Sequence, residues 1–277
     1  MCEAGNVAMI EDARGKIDYH EQGSGPTILF VPGSWGTPSA WRGVIAALPD
    51  RFRIVTTSLL GYGDTAERRA GTDVFIEREA EILETVVLRA GGPLHLVGHS
   101  YGGQACLAVA IRKVAELTSL TIIEPTAFPL LRQTGELALY EEVTTMHAAY
   151  VRAFDAGDKE AAKRVIDFFG GRGTFDALPE RMRDYVVTTT TTNILDWHCG
   201  LGFDAPLSAY AGITAPTLIL CGESGHPSVV RATEILLGAM PRASLKTIPG
   251  ASHFMMATHP TDVAAFVREH VLEAETT

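Results

Sequence analysis

The pentapeptide Gly98-His99-Ser100-Tyr101-Gly102 constrains the fold of this chain more than any other stretch. It follows the apolar run Leu94-His95-Leu96-Val97 and leads into Gly103-Gln104-Ala105-Cys106-Leu107-Ala108-Val109-Ala110, which suits a helix. A serine between two glycines, set between a strand and a helix, marks a sharp corner at which the backbone doubles back. The hydroxyl then projects from the end of a sheet, with a helix N-terminus beneath it. That placement makes Ser100 a candidate nucleophile. The five letters alone also fit a tight turn whose serine merely caps the helix. The flanking strand and helix, with the further glycine Gly103, favour the corner.

The rest of the chain repeats the alternation of strand and helix. Thr27-Ile28-Leu29-Phe30-Val31 is a continuous apolar run, as a strand buried on both faces requires. Further strands are read at Arg53-Ile54-Val55-Thr56-Thr57, Leu120-Thr121-Ile122-Ile123, Thr217-Leu218-Ile219-Leu220-Cys221 and Ala243-Ser244-Leu245-Lys246-Thr247. Between them, Pro38 stands at a first helical position, and Asp73 to Arg89 carries Phe75, Ile76, Ile82, Leu83, Val86 and Val87 at helical spacing. Helices are also read near Val229 to Leu237 and from Thr261 to Leu272. This order predicts an α/β fold, with a mostly parallel, doubly wound sheet covered on both faces. At the N-terminus, Val7-Ala8-Met9-Ile10 and Ile17-Asp18-Tyr19-His20 flank a turn at Asp12-Ala13-Arg14-Gly15 and predict a hairpin. Residues 126–210 show helical patterns without a convincing buried strand. They are read as a helical cap inserted into a core made of residues 1–125 and 211–277. The run Thr188 to Thr192 is β-branched inside that helical region, and the pattern gives no account of it.

A chain of 277 residues with 46% hydrophobic residues is long enough for one large α/β domain with an insertion. The net charge of −10 argues against a nucleic-acid binder, which carries a basic stripe. The four cysteines, Cys2, Cys106, Cys199 and Cys221, form no C-x-x-C pair, and Cys106 and Cys221 read as core thiols. That usage fits a reducing, cytoplasmic compartment. The first residues lack the basic and apolar regions of a signal peptide, and no apolar run reaches the length that spans a bilayer. No H-E-x-x-H and no close His/Cys set marks a metal site, and Gly61-Tyr62-Gly63 lacks the lysine and spacing of a phosphate loop. The expectation is a small-molecule substrate, no cofactor, no nucleic-acid or membrane partner, and a monomer or homodimer.

A serine hydroxyl is a poor nucleophile at neutral pH and needs a base, itself oriented by a carboxylate. Of the nine histidines, His253 is the best candidate. It lies in Pro249-Gly250-Ala251-Ser252-His253-Phe254, a loop between the last strand and the last helix. In a doubly wound sheet such loops gather on one edge, the edge to which the corner at Ser100 points. His226 and His259 are rivals, and a loop histidine that caps the helix is the plainer reading. His99 adjoins the serine, but neighbours at a sharp turn point apart. It is expected to line or support the site.

Taken together, Phe30-Val31-Pro32-Gly33-Ser34-Trp35-Gly36, Leu60-Gly61-Tyr62-Gly63-Asp64, Gly98-His99-Ser100-Tyr101-Gly102-Gly103, Pro216-Thr217-Leu218-Ile219-Leu220-Cys221-Gly222-Glu223 and Gly250-Ala251-Ser252-His253-Phe254 resemble the α/β-hydrolase superfamily over nearly the whole chain. The order Ser then His agrees with that family. The resemblance implies an oxyanion hole made by the backbone N–H groups of Tyr101 and Ser34. Trp35, beside the second donor, is expected to wall the pocket. Many relatives have histidine before Gly33, where this chain has Pro32, so the loop must be supported differently. An ordinary strand-to-helix loop would also explain Gly33 and Gly36. Relatives often place the acid as an aspartate in Gly-Glu-x-Asp after the strand that ends here at Cys221. This chain reads Gly222-Glu223-Ser224-Gly225-His226, with glycine at that position. Some relatives, haloalkane dehalogenases among them, take the acid from the end of the preceding strand, which here is Ile122-Ile123-Glu124-Pro125. Glu124 is therefore the favoured acid and Glu223 the alternative.

A serine nucleophile with a histidine base implies acyl transfer to water, here hydrolysis of small to medium hydrophobic esters through an acyl-enzyme. It disfavours epoxide or haloalkane chemistry, whose versions of this fold carry aspartate at the corner. In the cap, Phe128, Leu131, Met146, Tyr150, Phe154, Phe168, Phe169, Tyr185, Trp197 and Phe203 supply apolar surface, most of it expected to be core and the remainder pocket wall. A carbon–carbon bond hydrolase or a cofactor-free perhydrolase is an alternative with a similar triad. A ligand-binding protein on an inactive or slow hydrolase scaffold is another.

Overall fold

The structure is a computed structural model that describes residues 6–276 apart from Ala8. Its strands are β1 (Asn6–Val7), β2 (Ile10–Asp12), β3 (Gly15–Ile17), β4 (His20–Gln22), β5 (Thr27–Val31), β6 (Arg53–Thr56), β7 (Leu94–His99), β8 (Leu117–Ile123), β9 (Thr217–Gly222) and β10 (Ala243–Ile248). Eight of them form one sheet in the order β1-β4-β6-β5-β7-β8-β9-β10. From β6 through β10 every pairing is parallel, and β4 and β1 extend the sheet antiparallel at one edge.

The helices α1 (Arg42–Ala47), α2 (Glu77–Ala90) and α3 (Ser100–Arg112) belong to the first half. Seven more lie between β8 and β9: α4 (Pro129–Gln133), α5 (Leu137–Asp155), α6 (Lys163–Gly170), α7 (Thr174–Ala177), α8 (Glu180–Thr188), α9 (Thr190–Gly202) and α10 (Leu207–Ala211). Then come α11 (Pro227–Ala239), α12 (Met255–Thr258) and α13 (Pro260–Ala274).

The period-two geometry of a strand explains why the apolar runs are continuous. Along β5, Leu29 and Val31 face the core shared with α2, α3 and the insertion, whereas Ile28 and Phe30 face the core shared with α1, α12 and α13. The same split divides Leu96 from Val97 on β7, Ile122 from Ile123 on β8, and Ile219 from Leu220 on β9.

Three details differ from expectation or explain what the pattern left open. The N-terminal hairpin is β2 with β3 in a separate two-stranded sheet, and Ile17 to His20 is not one strand. The Asp18 carboxylate accepts from Ser58 Oγ at 2.6 Å, which pulls the chain out of the small ladder before β4 joins the large one. The expected helix from Asp73 begins only at Glu77, because Ala70 and Asp73 bridge to each other first. The threonine run spans the junction of α8 and α9. The hydroxyls of Thr188, Thr189 and Thr190 each donate to a carbonyl four residues back, at 2.9, 2.6 and 3.0 Å. Such back-bonding lets β-branched residues stay helical while bending the axis.

Phe30 is fully buried, with its ring 4.9 Å from that of Trp41. Phe30→Ala is expected to lower the unfolding free energy by about 3–5 kcal/mol, whereas Leu88→Ala, at a side chain 67% exposed, should shift it by less than about 0.5 kcal/mol. Urea denaturation of the two variants measures this; equal midpoint shifts would contradict the burial described.

Candidate active site

The loops that follow β5, β7, β8, β9 and β10 meet at the carboxyl edge of the parallel strands, where a doubly wound sheet presents its crevice. Ser100 follows β7, Glu124 follows β8 and His253 follows β10. Their side chains form one line. Ser100 Oγ lies 2.9 Å from His253 Nε2, and His253 Nδ1 lies 2.7 Å from Glu124 Oε2. All three residues are buried. The second carboxylate oxygen of Glu124 accepts the Gly222 N–H at 2.8 Å, which ties the end of β8 to that of β9.

Backbone strain is concentrated here. Trp35, Ser100 and Glu124 have φ values of 60°, 54° and 43°, and the remaining non-glycine residue with positive φ among those described, Lys113, ends α3. Left-handed backbone at such residues costs on the order of 1–3 kcal/mol each and persists where surrounding contacts enforce it. Glycines supply part of that enforcement by allowing close approach. A Cβ on Gly98 would lie 2.6 Å from Cys106 Sγ, and one on Gly102 would run into the Pro32 carbonyl. Helix α3 can therefore pack directly under the β5 loop.

The replaced aspartate has a structural explanation. A Cβ on Gly225 would lie 2.7 Å from Glu124 Oε1, so the Glu124 carboxylate occupies the space a side chain there would need. Glu223 is exposed and accepts the Gly250 N–H at 2.8 Å; it does not touch His253. His259 bonds to its neighbour Thr258, and His226 stacks on Phe168 at 3.9 Å. His99 lines the crevice, and its Nε2 donates to the His253 carbonyl at 3.0 Å. Burial, together with His253, pushes His99 well below the usual imidazole range, so it stays neutral and anchors the His253 backbone.

Above Ser100 is a cavity of about 60 Å³. Its walls are mostly apolar: Trp35, Phe128, Ile166, Phe169, Trp197 and Leu201. Phe169 of α6 stacks on the His253 ring with centroids 4.6 Å apart. Of the cap aromatics singled out from sequence, Phe128, Phe169 and Trp197 reach the cavity, Tyr150 is buried in the core, and Phe154, Phe168, Tyr185 and Phe203 are half-buried against it.

One part of the wall was not anticipated. Asp196 of α9 is buried in the lining, and its Oδ2 accepts from Ser34 Oγ at 2.6 Å and from Tyr62 Oη at 2.7 Å. Its Oδ1 lies 2.7 Å from Arg69 Nη1. Arg69 is also gripped at two points by Glu67, both contacts 2.8 Å, and lies 3.2 Å from Glu79 Oε1. Three carboxyl groups around one buried guanidinium leave an excess of negative charge, so one of them keeps its proton. Burial pushes Glu79 up to about 8 against the pull of Arg69, with Asp196 adding to the rise, and burial raises Asp196 as well. The only hint in the sequence was an acid set among Ile194, Leu195 and Trp197 on a helix.

A parallel sheet wound on both faces, with a serine at the corner after a middle strand, is the architecture of the α/β hydrolases. The family model described as "Alpha/beta hydrolase family" matches residues 28–266, and the chain belongs to that family. Haloalkane dehalogenase 2 of Mycobacterium bovis is 32% identical over 113 residues; the match covers 40% of this chain and 39% of that protein, about two fifths of its length. 2-(Acetamidomethylene)succinate hydrolase of Mesorhizobium japonicum is 23% identical over 261 residues, covering 91% of this chain and 90% of that one. A thermophilic esterase from Thermogutta terrifontis has a TM-score of 0.75 at 21% identity, covering 97% of this chain and 99% of the other, a likeness of fold. Among the described residues no helix is long and apolar enough to cross a membrane.

A carboxyl group raised in the folded state contributes stability that is fully present below its unfolded value and is lost as pH climbs through the folded one. For Glu79 that window runs from the ordinary glutamate range up to about 8. The melting temperature of the wild type is therefore expected to fall between pH 5 and 8.5 more steeply than that of Glu79→Gln. Thermal denaturation followed by circular dichroism checks this, and parallel curves would refute the assignment.

Proposed function

We propose that the protein is a serine hydrolase that cleaves small to medium hydrophobic carboxylic esters through an acyl-enzyme intermediate. The observation that carries the reading is the unbroken hydrogen-bonded line Ser100–His253–Glu124 at the floor of a mostly apolar cavity.

In this reading Ser100 Oγ attacks the ester carbonyl carbon and His253 Nε2 takes its proton. Glu124 holds the ring in the tautomer that leaves Nε2 free to accept, and stabilises the imidazolium that forms. The carbonyl oxygen becomes an alkoxide between the backbone N–H groups of Ser34 and Tyr101. A donor of this kind is worth on the order of 3–4 kcal/mol in a water-poor site. His253 then passes the proton to the leaving alcohol. Water, deprotonated by the same ring, attacks the acyl-serine and releases the acid. Trp35 and His99 complete the site, the first as a wall and the second by fixing the base.

The nucleophile also separates this chain from the chemistry named in its dehalogenase relative. Displacement of a halide by a serine hydroxyl would form an alkyl ether, which has no carbonyl for water to attack, so turnover would stop after one event. The carboxylic ester reading needs no such release. The mostly apolar walls further favour a hydrophobic acyl or alcohol group.

Turnover of p-nitrophenyl acetate or butyrate is expected, with much slower turnover of the decanoate. Ser100→Ala should lose roughly 10⁴-fold or more in kcat. Glu124→Gln should fall by about 10³- to 10⁴-fold, while Glu223→Gln stays within about twofold. Labelling of wild type but not of Ser100→Ala by a fluorophosphonate probe supports the nucleophile; a folded, unlabelled wild type would favour a receptor on the same scaffold. Loss of activity in Glu223→Gln with retention in Glu124→Gln would overturn the choice of acid.

A further inference from the structure

The two residues whose backbone N–H groups form the proposed oxyanion hole send their side chains into one buried cluster. Ser34 Oγ donates to Asp196 Oδ2 at 2.6 Å. The Tyr101 phenol is buried, and burial together with the nearby Glu79 and Asp196 raises it well above the usual phenol range. Tyr62 donates to the same Asp196 oxygen at 2.7 Å. Trp35 is the residue that follows Ser34 and carries the positive φ of 60°. The strained turn that aims the Ser34 N–H is thus held at its side chain by Asp196, whose same oxygen Tyr62 also fixes.

Asp196 in turn is not free to move. Arg69 holds its other oxygen at 2.7 Å, and Glu67 and the Leu60 carbonyl fix Arg69. The carboxylate belongs to α9 of the helical insertion, whereas Ser34, Tyr62 and Arg69 belong to the segments before it. A loop with positive φ and no side-chain anchor would sample other conformations, and the N–H would no longer point at a fixed spot. Preorganisation of donors is what gives an oxyanion hole its effect, because no reorganisation is then needed as charge develops.

We infer that Asp196 is a positioning residue: from the insertion, through Ser34 Oγ, and with Tyr62 fixing the same carboxylate oxygen, it holds the Ser34–Trp35 turn in the conformation that presents the oxyanion donor. This rests on the reading of Ser100 as nucleophile and of Ser34 as donor. The insertion then contributes to rate as well as to substrate choice, since the donor loop is set only when α9 is docked against it. Asp196 does not touch the reacting atoms, and its action is through the loop alone.

The test uses Ser34→Ala, which keeps the backbone N–H and leaves the Asp196–Arg69 contact intact, with Ser34→Thr as the variant that restores a hydroxyl. Replacement of Asp196 itself would leave Arg69 buried without its partner and is a poorer choice. Hydrolysis of p-nitrophenyl butyrate and inhibition by a trifluoromethyl ketone, which forms an oxyanion on the serine, are measured for each. Ser34→Ala is expected to lose about tenfold in kcat with KM within twofold, and to bind the ketone about tenfold more weakly. Ser34→Thr should recover most of both, and the double variant Ser34→Ala/Tyr62→Phe should lose about a hundredfold. Wild-type kcat and ketone affinity in Ser34→Ala would overturn the inference. So would a rise in KM alone, or equal loss in Ser34→Thr. If the wild type neither turns over esters nor reacts with the fluorophosphonate probe, the underlying hydrolase reading fails instead, and the two failures are distinguished.

Discussion

The Glu124 carboxylate is the point at which three separate chain segments are fixed to one another. One oxygen takes the His253 ring from the loop after β10, and the other takes the Gly222 N–H at the end of β9. Glu124 itself ends β8 with a φ of 43° and has no exposed surface. A buried carboxylate is tolerated only when hydrogen bonds replace its lost water, and these partners come from the end of β9 and from the loop after β10. The carboxyl edge of the sheet is therefore held in register by a polar contact as well as by the ladder. Without Gly222 and Gly225 the arrangement would not fit, since a Cβ at either position would lie within 3.2 Å of Glu124 Oε1.

The same edge carries most of the strained non-glycine backbone among the described residues. Trp35, Ser100 and Glu124 each adopt a conformation that their side chains disfavour, and each is locked by a neighbour from another loop. Gly102 lets α3 approach the Pro32 carbonyl, His99 bonds to the His253 backbone, and Asp196 holds the Ser34 side chain in the turn after β5. Strain of about 1–3 kcal/mol per residue is affordable because the two cores on either side of the sheet bury long apolar runs. The fold supplies rigidity from burial and concentrates its unfavourable dihedrals where fixed geometry has chemical use.

What could be read from the sequence follows the distance over which each feature is encoded. The corner at Ser100 is local, with strand, turn and helix residues contiguous, and its context was visible in the letters. The parallel sheet was legible for the same reason, because apolar runs such as Thr27 to Val31 announce burial on both faces. His253 could be placed because loops after parallel strands must share an edge. Glu124 was legible only through the family resemblance, which places an acid either where Gly225 stands or at the end of the preceding strand. The Asp196–Ser34 contact spans 162 positions, and no short-range pattern marks it. The strand boundaries near Asp18 were misread for a related reason: a hydrogen bond to Ser58, 40 positions away, decides where the chain leaves the small sheet. The threonine run looked anomalous because β-branched residues weaken helices on average, whereas here their hydroxyls bond back to the preceding turn.

The helical insertion is where the sequence was least informative and where the structure adds most. Its aromatic side chains divide into two populations that composition does not distinguish. Phe128, Phe169 and Trp197 stack roughly parallel, 6.0 to 6.3 Å apart, and form a wall over the serine. Their neighbours fill the core beneath. Phe169 also covers one face of the His253 ring, so a single side chain both walls the cavity and shields that ring. Water exclusion strengthens every dipole aimed at a developing charge. Gly171 and Gly173 follow α6 with positive φ and open space around them, a backbone that glycine adopts without steric cost. The aromatic wall and the polar anchor lie on different helices, Phe169 on α6 and Asp196 on α9. The contact that fixes the Ser34 side chain therefore does not run through the helix that covers His253.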